Sequence, residues 1–383
     1  MSRVAIYLDH NASSPLLPEA RAAMVDALAL VGNPSSVHGH GRALRKVVEA
    51  GRDSVAALTG ANRGQVVFTG SGTEAITQAI VGGARSLGID ALVVGAGEHA
   101  AVLRAAEATG LPVITAGLDG AGRVSAEEIA VALRATGGRR LLVAVQAVNN
   151  ETGVIQPLTE IGAMVGASPH YLFVDAVQAL GRLPLDFAAS PADMMAVSGH
   201  KIGGPAGIGA LLVKAHADGA RLIPGGGQEQ GRRGGTESAA LIAGFGAAAQ
   251  GIGTAYDGAR LGRLTSRLET GILERSANAV IFGAGAPRAG NVVNFAVPGI
   301  GSAVAMMALD IAGVSVSSGS ACSSGKVGPS HVLAAMGIAP ELSACALRVS
   351  LGWSSTDDDV DGFLAAFSTV VARHSGRISG RAA

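Results

Sequence analysis

The chain has 383 residues, and its 29 Lys and Arg balance its 29 Asp and Glu, so the formal net charge is zero. This length allows two domains, and the charge balance argues against nucleic acid or an anionic membrane surface as a partner, since both favour an uncompensated basic face. A hydrophobic content of 48% excludes a disordered chain. No apolar stretch reaches the ~20 residues of a membrane span. Two cysteines are too few for a disulfide framework, which favours a cytoplasmic location.

Apolar periodicity predicts alternating helices and strands from about residue 16 to 250. The predicted helices are 18–31, 41–58, 73–87, 99–108, 125–135, 158–165 and 236–251. The predicted strands are 65–69, 91–95, 111–115, 141–146, 171–174, 194–197, 208–213 and 221–224. Strands separated by helices of this length indicate βαβ crossovers and a largely parallel sheet that is covered on both faces.

The rhythm changes after a Gly-rich stretch at 225–235. The remaining predicted helices are 260–276, 304–311 and 360–373, and the remaining predicted strands are 292–297, 314–317 and 347–351. We therefore predict an α/β protein with a large domain over 16–250. A smaller α+β domain would comprise 251–383 together with the N-terminal segment 1–15.

Polar groups follow several predicted strands, at the sheet edge where α/β proteins bind ligands. Segment 70–74 (GSGTE) lies between a strand and a helix, where backbone amides could bind a phosphate. It lacks the GK[ST] of a nucleoside-triphosphate loop, and an ordinary turn with Thr73 near the helix cap is the alternative. Asp175 follows strand 171–174 and could either bind a ligand or cap the next helix.

Lys201 is one of only four lysines, and apolar residues flank it on both sides. Partial burial would lower the pKa of its amine and favour a Schiff base; a salt-bridged lysine at a turn is the alternative. His99 follows Glu98 after strand 91–95, at the same sheet edge. Taken alone, such a histidine is more typical of a surface or capping position.

Cys322 lies in segment 317–325, which consists almost entirely of Ser and Gly. Because no large apolar side chain is near it, a reactive thiol is favoured, with an incidental surface thiol as the alternative. Cys345 has the setting of a small core residue at the start of a strand.

Arg348 interrupts an apolar strand and therefore requires an anion, either a bound carboxylate or a protein Asp or Glu. His38 and His40 lie close together, but no third ligand is near them in sequence. We therefore predict no metal site.

A phosphate site, an amine for an aldehyde and a carboxylate for a ring nitrogen together match pyridoxal 5′-phosphate. Along almost its whole length the chain resembles the class V aminotransferases and, within them, the cysteine desulfurases. The matching motifs are YLDHNASSP (7–15), NPSSVHGHG (33–41), TGSGTEA (69–75), EH (98–99), VNNETGVIQP (148–157), VDAVQALG (174–181), SGHK (198–201), GGGQEQGRRGGTES (225–238), SVSSGSACSSG (315–325), PSHVLAAMG (329–337) and RVSLG (348–352). The segment around Cys322 is the specific part of the match, because other class V enzymes lack it.

This resemblance implies the type I fold of pyridoxal-phosphate transferases, with a mostly parallel seven-stranded sheet in the large domain, and a cytoplasmic homodimer. It also implies that L-cysteine is converted to L-alanine, leaving a persulfide on Cys322. The sulfur would pass to an acceptor protein, either an iron–sulfur scaffold or a tRNA-thiolation enzyme. The alternative is another class V enzyme, a selenocysteine lyase or a small amino-acid aminotransferase, in which Cys322 would be dispensable.

The family's residue roles transfer to the matching positions. Cys322 would accept the sulfur, Lys201 would carry the cofactor, and His99 would stack on its ring and assist proton transfer. The remaining cofactor contacts would be Gly72, Thr73, Asn149, Asp175, Gln178, Ser198, Gly199, His200 and Thr236. Of these, Asp175 would pair with the ring nitrogen, and Thr236 would reach the cofactor phosphate of the partner subunit. Arg348, with Asn149, would bind the substrate carboxylate.

Overall fold

The computed structural model describes residues 5–318 and 329–379, with side chains as far as residue 374. Its centre is a seven-stranded sheet whose strands lie in the order Val66–Thr69, Gly209–Val213, Met194–Ser198, Tyr171–Asp175, Leu141–Gln146, Ala91–Gly95 and Val113–Ala116. Gly209–Val213 runs opposite to the other six strands of this sheet. The predicted, mostly parallel seven-stranded sheet is confirmed.

The central strands are apolar on both faces, because helices cover both sides of the sheet. In Leu141–Gln146, Val143 packs into the core on one face, and Leu142 packs into the core on the other. Successive side chains of a strand point to opposite faces, so a continuous apolar run is what a doubly covered parallel sheet requires. Each fully buried Val or Leu contributes about 1.5–3 kcal/mol.

Several α-helices accompany this sheet in the described part of the chain. They are Pro18–Leu28, Gly39–Thr59, Gly72–Thr77 (continued by Gln78–Gly82 and Gly83–Ser86), Ala100–Ala108, Ala126–Arg134, Leu158–Gly166 and Ala239–Ala255. His38 caps the second of them, because its Nδ1 accepts a hydrogen bond from Gly41 N at 3.3 Å.

A second, antiparallel sheet is formed by Ala346–Ser350, Val292–Ala296 and Val280–Ile281, in that order. The helices of this region are Gly258–Arg275, Ser302–Ile311, His331–Ala335, Pro340–Ser343 and Asp357–Ser379. Their apolar residues form a core of their own around Phe295, Phe363 and Phe367. The division into two domains remains a prediction, which these separate sheets and cores support.

The N-terminal segment runs between the two regions. Ile6–Tyr7 pairs in parallel with Val314–Ser315, beside the second sheet. The next residues turn toward the carboxyl ends of the large sheet, where His10 N still donates to Ser350 O at 3.2 Å. The segment therefore contacts both regions within a few residues.

The predicted strand at 221–224 is wrong, since this segment forms no strand. The place beside Gly209–Val213 is taken by Val66–Thr69, and Pro224 has no amide hydrogen to offer a sheet. Across the described residues, no helix is long and apolar enough to cross a membrane.

Candidate active site

A cavity of about 220 Å³ lies at the carboxyl ends of the central strands. The predicted site residues that line it are Gly72, Thr73, His99, Asp175, Gln178, Ser198, His200 and Lys201. Because parallel strands end at one edge of a sheet, residues far apart in sequence meet there. The sequence therefore located most of this cavity.

One wall of the cavity is the start of a helix at Gly72. Ser71 Oγ caps this helix by accepting from Glu74 N at 3.0 Å, and the amides of the first turn have no acceptors within the helix. A Cβ on Gly72 would lie 3.1 Å from Ser198 Cβ and 3.2 Å from Val177 Cγ2. The glycine therefore leaves room for an anion at the amide-rich end of the helix.

Asp175 is the last residue of its strand and is buried in the cavity wall. Its Oδ1 accepts from Val177 N at 3.0 Å, so the side chain both caps the turn and faces the cavity. Burial raises the pKa of the Asp175 carboxyl, whereas the nearby His99 and Lys201 favour its ionised form. An added positive group would stabilise the carboxylate further.

Lys201 ends the short helical turn Gly199–Lys201 that follows Met194–Ser198. Its Nζ donates to two backbone carbonyls of the N-terminal segment, to Asn11 O at 2.6 Å and to Ala12 O at 2.8 Å. Gln178 Nε2 donates to the same Asn11 oxygen at 2.9 Å. The lysine amine therefore lies inside the cavity and against the N-terminal segment.

This contribution of the N-terminal segment was missed by the sequence analysis, although the YLDHNASSP motif covers it. Ser14 Oγ donates to Lys201 O at 3.2 Å, and Ser13 Oγ lies 3.3 Å from His200 Nδ1. The only local signal is a run of polar residues directly after the first strand, and that pattern is typical of many surface loops.

Two histidines beside the cavity are neutral at physiological pH. Burial, with the neighbouring Arg182, lowers the pKa of His10 to about 4. Burial, with Lys201 and Arg182, lowers the pKa of His200 to about 4 as well. His200 therefore offers an uncharged imidazole to the anion site beside Gly72.

Arg348 lies on the strand Ala346–Ser350, behind the cavity residue Asn150, and is almost completely buried. Its Nη2 donates to Asp9 Oδ1 at 2.8 Å, and its Nη1 donates to Asn150 O at 3.1 Å. Its buried Nε has no hydrogen-bond partner among the described residues. The Asp9 carboxylate therefore pairs with part of the Arg348 guanidinium, and Nε is the donor that could still bind a ligand anion.

Asn149 and Gly199 do not line the cavity, and neither do Thr236 and Arg348. Asn149 Oδ1 accepts from the amides of Glu151 and Thr152, both at 2.9 Å, so its side chain holds a turn. A Cβ on Gly199 would lie 2.9 Å from Ile208 Cγ2, which explains the glycine by packing.

Of the remaining predicted residues, Thr236 is exposed on the Gly-rich segment, away from the cavity. Cys322 lies outside the described residues. Cys345 is buried, with Sγ 3.4 Å from Glu341 O, as expected of a core residue.

The Gly-rich segment that carries Thr236 is fixed by a buried ion pair. Arg52 donates to both carboxylate oxygens of Glu229, at 2.7 and 2.8 Å, and Phe68 N donates to Glu229 Oε2 at 2.9 Å. Glu229 and the following Gln230 have positive φ angles of 49° and 59°. Such backbone persists only where its surroundings hold it, so the ion pair shapes the approach to Thr236.

Glu98 is a buried acid that the sequence analysis left without a role. Its Oε1 accepts from Gln146 N at 2.7 Å, and its Oε2 has no partner among the described residues. Burial raises the pKa of Glu98 well above its usual range; the bond from Gln146 opposes this rise, and the nearby Asp175 adds to it. Burial and the neighbouring Asp175 thus both disfavour the ionised form of Glu98.

Comparison with known proteins gives consistent matches over nearly the whole chain. Residues 6–363 match the family model described as aminotransferase class V. A cysteine desulfurase of Trichormus azollae is 37% identical, covering 96% of this chain and 93% of that protein. An IscS-like cysteine desulfurase of Mycobacterium tuberculosis is 38% identical, covering 96% of each. The X-ray structure of a NifS-like protein from Rickettsia africae superposes with a TM-score of 0.87 at 29% identity, covering 96% of this chain and 99% of that one.

The buried Glu98 predicts a pH-dependent gain in stability for the Glu98→Gln variant. A pKa that folding raises above the ordinary 4.5 means that the folded state binds the proton more tightly. The stability from this group is then fully present below pH 4.5 and is lost as the pH rises toward the folded-state pKa. We expect the melting temperature of Glu98→Gln to exceed that of the wild type by a margin that widens from pH 5 to pH 8.5 in calorimetry. Glu160→Gln, at an exposed site, is the matched control, and a margin independent of pH would contradict the prediction.

Proposed function

The chain belongs to the class V aminotransferase family, and we propose that it is a cysteine desulfurase with pyridoxal 5′-phosphate as its cofactor. What carries this proposal is the cavity in which Lys201, Asp175, His99 and the helix start at Gly72 meet. It occurs in a chain that aligns with cysteine desulfurases over 96% of its length.

The residues of the cavity fit this cofactor. A phosphate suits the uncrowded helix start at Gly72, and a protonated ring nitrogen suits the buried carboxylate of Asp175. When bound, the cofactor supplies an aldehyde for the lysine and a conjugated ring that draws electrons from the substrate Cα.

Three side chains would handle protons in this reaction. Asp175 would keep a proton on the ring nitrogen, because a buried carboxylate favours a positive neighbour. Lys201 Nζ, once the substrate amine has replaced it, would take the Cα proton. His99 Nδ1 accepts from Ala101 N at 3.1 Å, which orients the imidazole at the cavity, and His99 would stack on the cofactor ring and assist proton transfer.

Two further side chains would act on the substrate itself. Arg348 would bind the cysteine carboxylate, to which it brings a buried donor without a partner of its own among the described residues. Cys322 would attack the substrate sulfur, so that a persulfide forms on the enzyme and L-alanine leaves. This role for Cys322 rests on the sequence and the family resemblance.

A homodimer is part of the proposal. Three apolar side chains in and after the first helix are strongly exposed: Leu28 at 71%, Val31 at 75% and Val37 at 87%. Large apolar side chains that are strongly exposed and close together in sequence are typical of a protein interface. The exposed Thr236 would serve the cofactor phosphate of the partner subunit. We also propose a cytoplasmic location and an acceptor protein for the sulfur, either an iron–sulfur scaffold or a tRNA-thiolation enzyme.

The Lys201→Ala variant is expected to lose the cofactor link that borohydride reduces. Turnover of L-cysteine should fall by at least about 10³-fold, because both the attachment point and the base are removed. Mass spectrometry of the reduced wild type should place the adduct on the Lys201 peptide. Lys214→Ala, whose amine binds Ser190 O, is the matched control. An adduct on Lys214 or Lys46 would refute the assignment.

The Cys322→Ser variant is expected to keep the cofactor spectrum but to form no persulfide and release no sulfide. Cys345→Ser, which alters the buried thiol, should keep most of the turnover. After addition of L-cysteine, mass spectrometry should find the added sulfur on the Cys322 peptide. Full turnover by Cys322→Ser would instead favour a selenocysteine lyase or an aminotransferase.

The Val37→Asp variant is expected to weaken the dimer at least tenfold, because it places a charge in an apolar contact. Analytical ultracentrifugation would measure the dissociation constant, with Val131→Asp on an exposed helix face as the control. In the same dimer, Thr236→Val should speed loss of the cofactor. An unchanged dimer in Val37→Asp would exclude Val37 from the interface.

A further inference from the structure

The amine of Lys201 is bound by backbone rather than by a side chain of the N-terminal segment. Its Nζ lies 2.6 Å from Asn11 O and 2.8 Å from Ala12 O, both within hydrogen-bond distance. Carbonyl oxygens bind an ammonium more strongly than a neutral amine, since a charged donor makes the stronger bond. Two such acceptors in a partly buried cavity therefore favour the protonated lysine.

The carbonyl of Asn11 is held in place by buried contacts. Asn11 Nδ2 donates to Asn150 O at 3.2 Å, and Asn11 Oδ1 accepts from Asn291 Nδ2 at 3.0 Å. The backbone N of Asn11 donates to Ser350 Oγ at 2.9 Å. Asn291 also donates to Leu351 O at 3.2 Å, which fixes it to the second sheet. Turning the carbonyl away from Lys201 would leave several buried polar groups without partners, which is costly.

We propose that the carbonyl oxygens of Asn11 and Ala12 form a receiving site for the Lys201 ammonium, and that Asn11 and Asn291 are positioning residues of this site. The proposal rests on the function proposed above, in which Lys201 takes the Cα proton of the substrate. In that step the Cα–H bond breaks, its electron pair stays with the substrate carbon, and the proton joins the lone pair of Nζ. The two carbonyls stabilise the ammonium so formed and make the released lysine a stronger base.

The receiving site also limits where the ammonium can go. An amine released from its covalent link could otherwise turn toward solvent, at the end of a flexible four-carbon chain. The two carbonyls hold it beside Asp175 and Gln178, within the cavity. The proton is thereby kept close to the reacting carbon, which is the arrangement that repeated proton transfer requires.

Other charged and titratable groups face the same amine. The carboxylate of Asp175 and the imidazoles of His99 and His200 share its cavity, and Arg182 and Tyr256 line a small gap on its other side. Asp175 favours the ammonium, whereas Arg182 disfavours it. None of these groups is altered by changing Asn11 or Asn291, so a shift in the titration of Lys201 reports on the carbonyls.

The test compares the reactivity of Lys201 in the cofactor-free full-length protein. Wild type, Asn11→Ala and Asn291→Ala are labelled with acetic anhydride at a series of pH values, and the Lys201 peptide is quantified against the Lys214 peptide. Loss of one charge-assisted bond predicts that the midpoint for Lys201 falls by about one pH unit, with about tenfold faster labelling near pH 8. Melting curves confirm that each variant is folded, and Asn291→Ala tests the site without changing the segment itself.

Trp353→Phe is the matched control, because Trp353 Nε1 donates at 2.9 Å to Pro15 O of the same segment and to neither carbonyl that the lysine contacts. It should leave the Lys201 midpoint unchanged. In the cofactor-loaded enzyme, Asn11→Ala should lower kcat about tenfold and enlarge the isotope effect of α-deuterated L-cysteine. A Lys201 midpoint that is the same in wild type and both asparagine variants, or that moves equally in Trp353→Phe, would overturn the proposal. The labelling result holds whether or not the protein desulfurates cysteine, so the two proposals fail separately.

Discussion

The site depends on a carboxylate that is kept out of water. Asp175 is buried at the end of a central strand, where an isolated negative charge costs several kcal/mol. The fold offsets this free-energy cost because His99 and Lys201 lie in the same cavity and favour the ionised form of Asp175. The parallel sheet makes this possible, because its strands deliver residues from distant parts of the chain to one edge. A cofactor with a positive ring nitrogen completes the same balance of charge.

The residues that could be predicted from sequence share one property: each lies at the end of an apolar strand or within three residues after it. Gly72, Asp175 and Lys201 are of this kind, and the fold gathers all three in one cavity. The N-terminal segment could not be placed in this way, because Asn11 and Lys201 are 190 residues apart along the chain. The burial of Glu98 could not be predicted from the sequence either, because it depends on residues such as Gln146 that are distant in the chain.

The sequence predicts least well where two possible roles compete for the same residue or the same place in the sheet. Asn149 is predicted to bind a ligand, and its side-chain oxygen also holds the turn at Glu151 and Thr152. The strand predicted at 221–224 fails for a different reason, because strand pairing depends on which edge of the sheet is already occupied. Neither competition is visible in a local pattern.

The path of the N-terminal segment has a consequence for how the protein is made. Ile6–Tyr7 pairs with Val314–Ser315, and Asn11 N donates to Ser350 Oγ. Asn11 and Ser350 are 339 residues apart in the chain, and such long-range contacts form slowly. The strands of the large sheet, from Val66 to Val213, are all synthesised before those partners. The main sheet is therefore synthesised before the residues that hold Asn11 in place, so the carbonyls beside Lys201 are fixed only after that sheet can form.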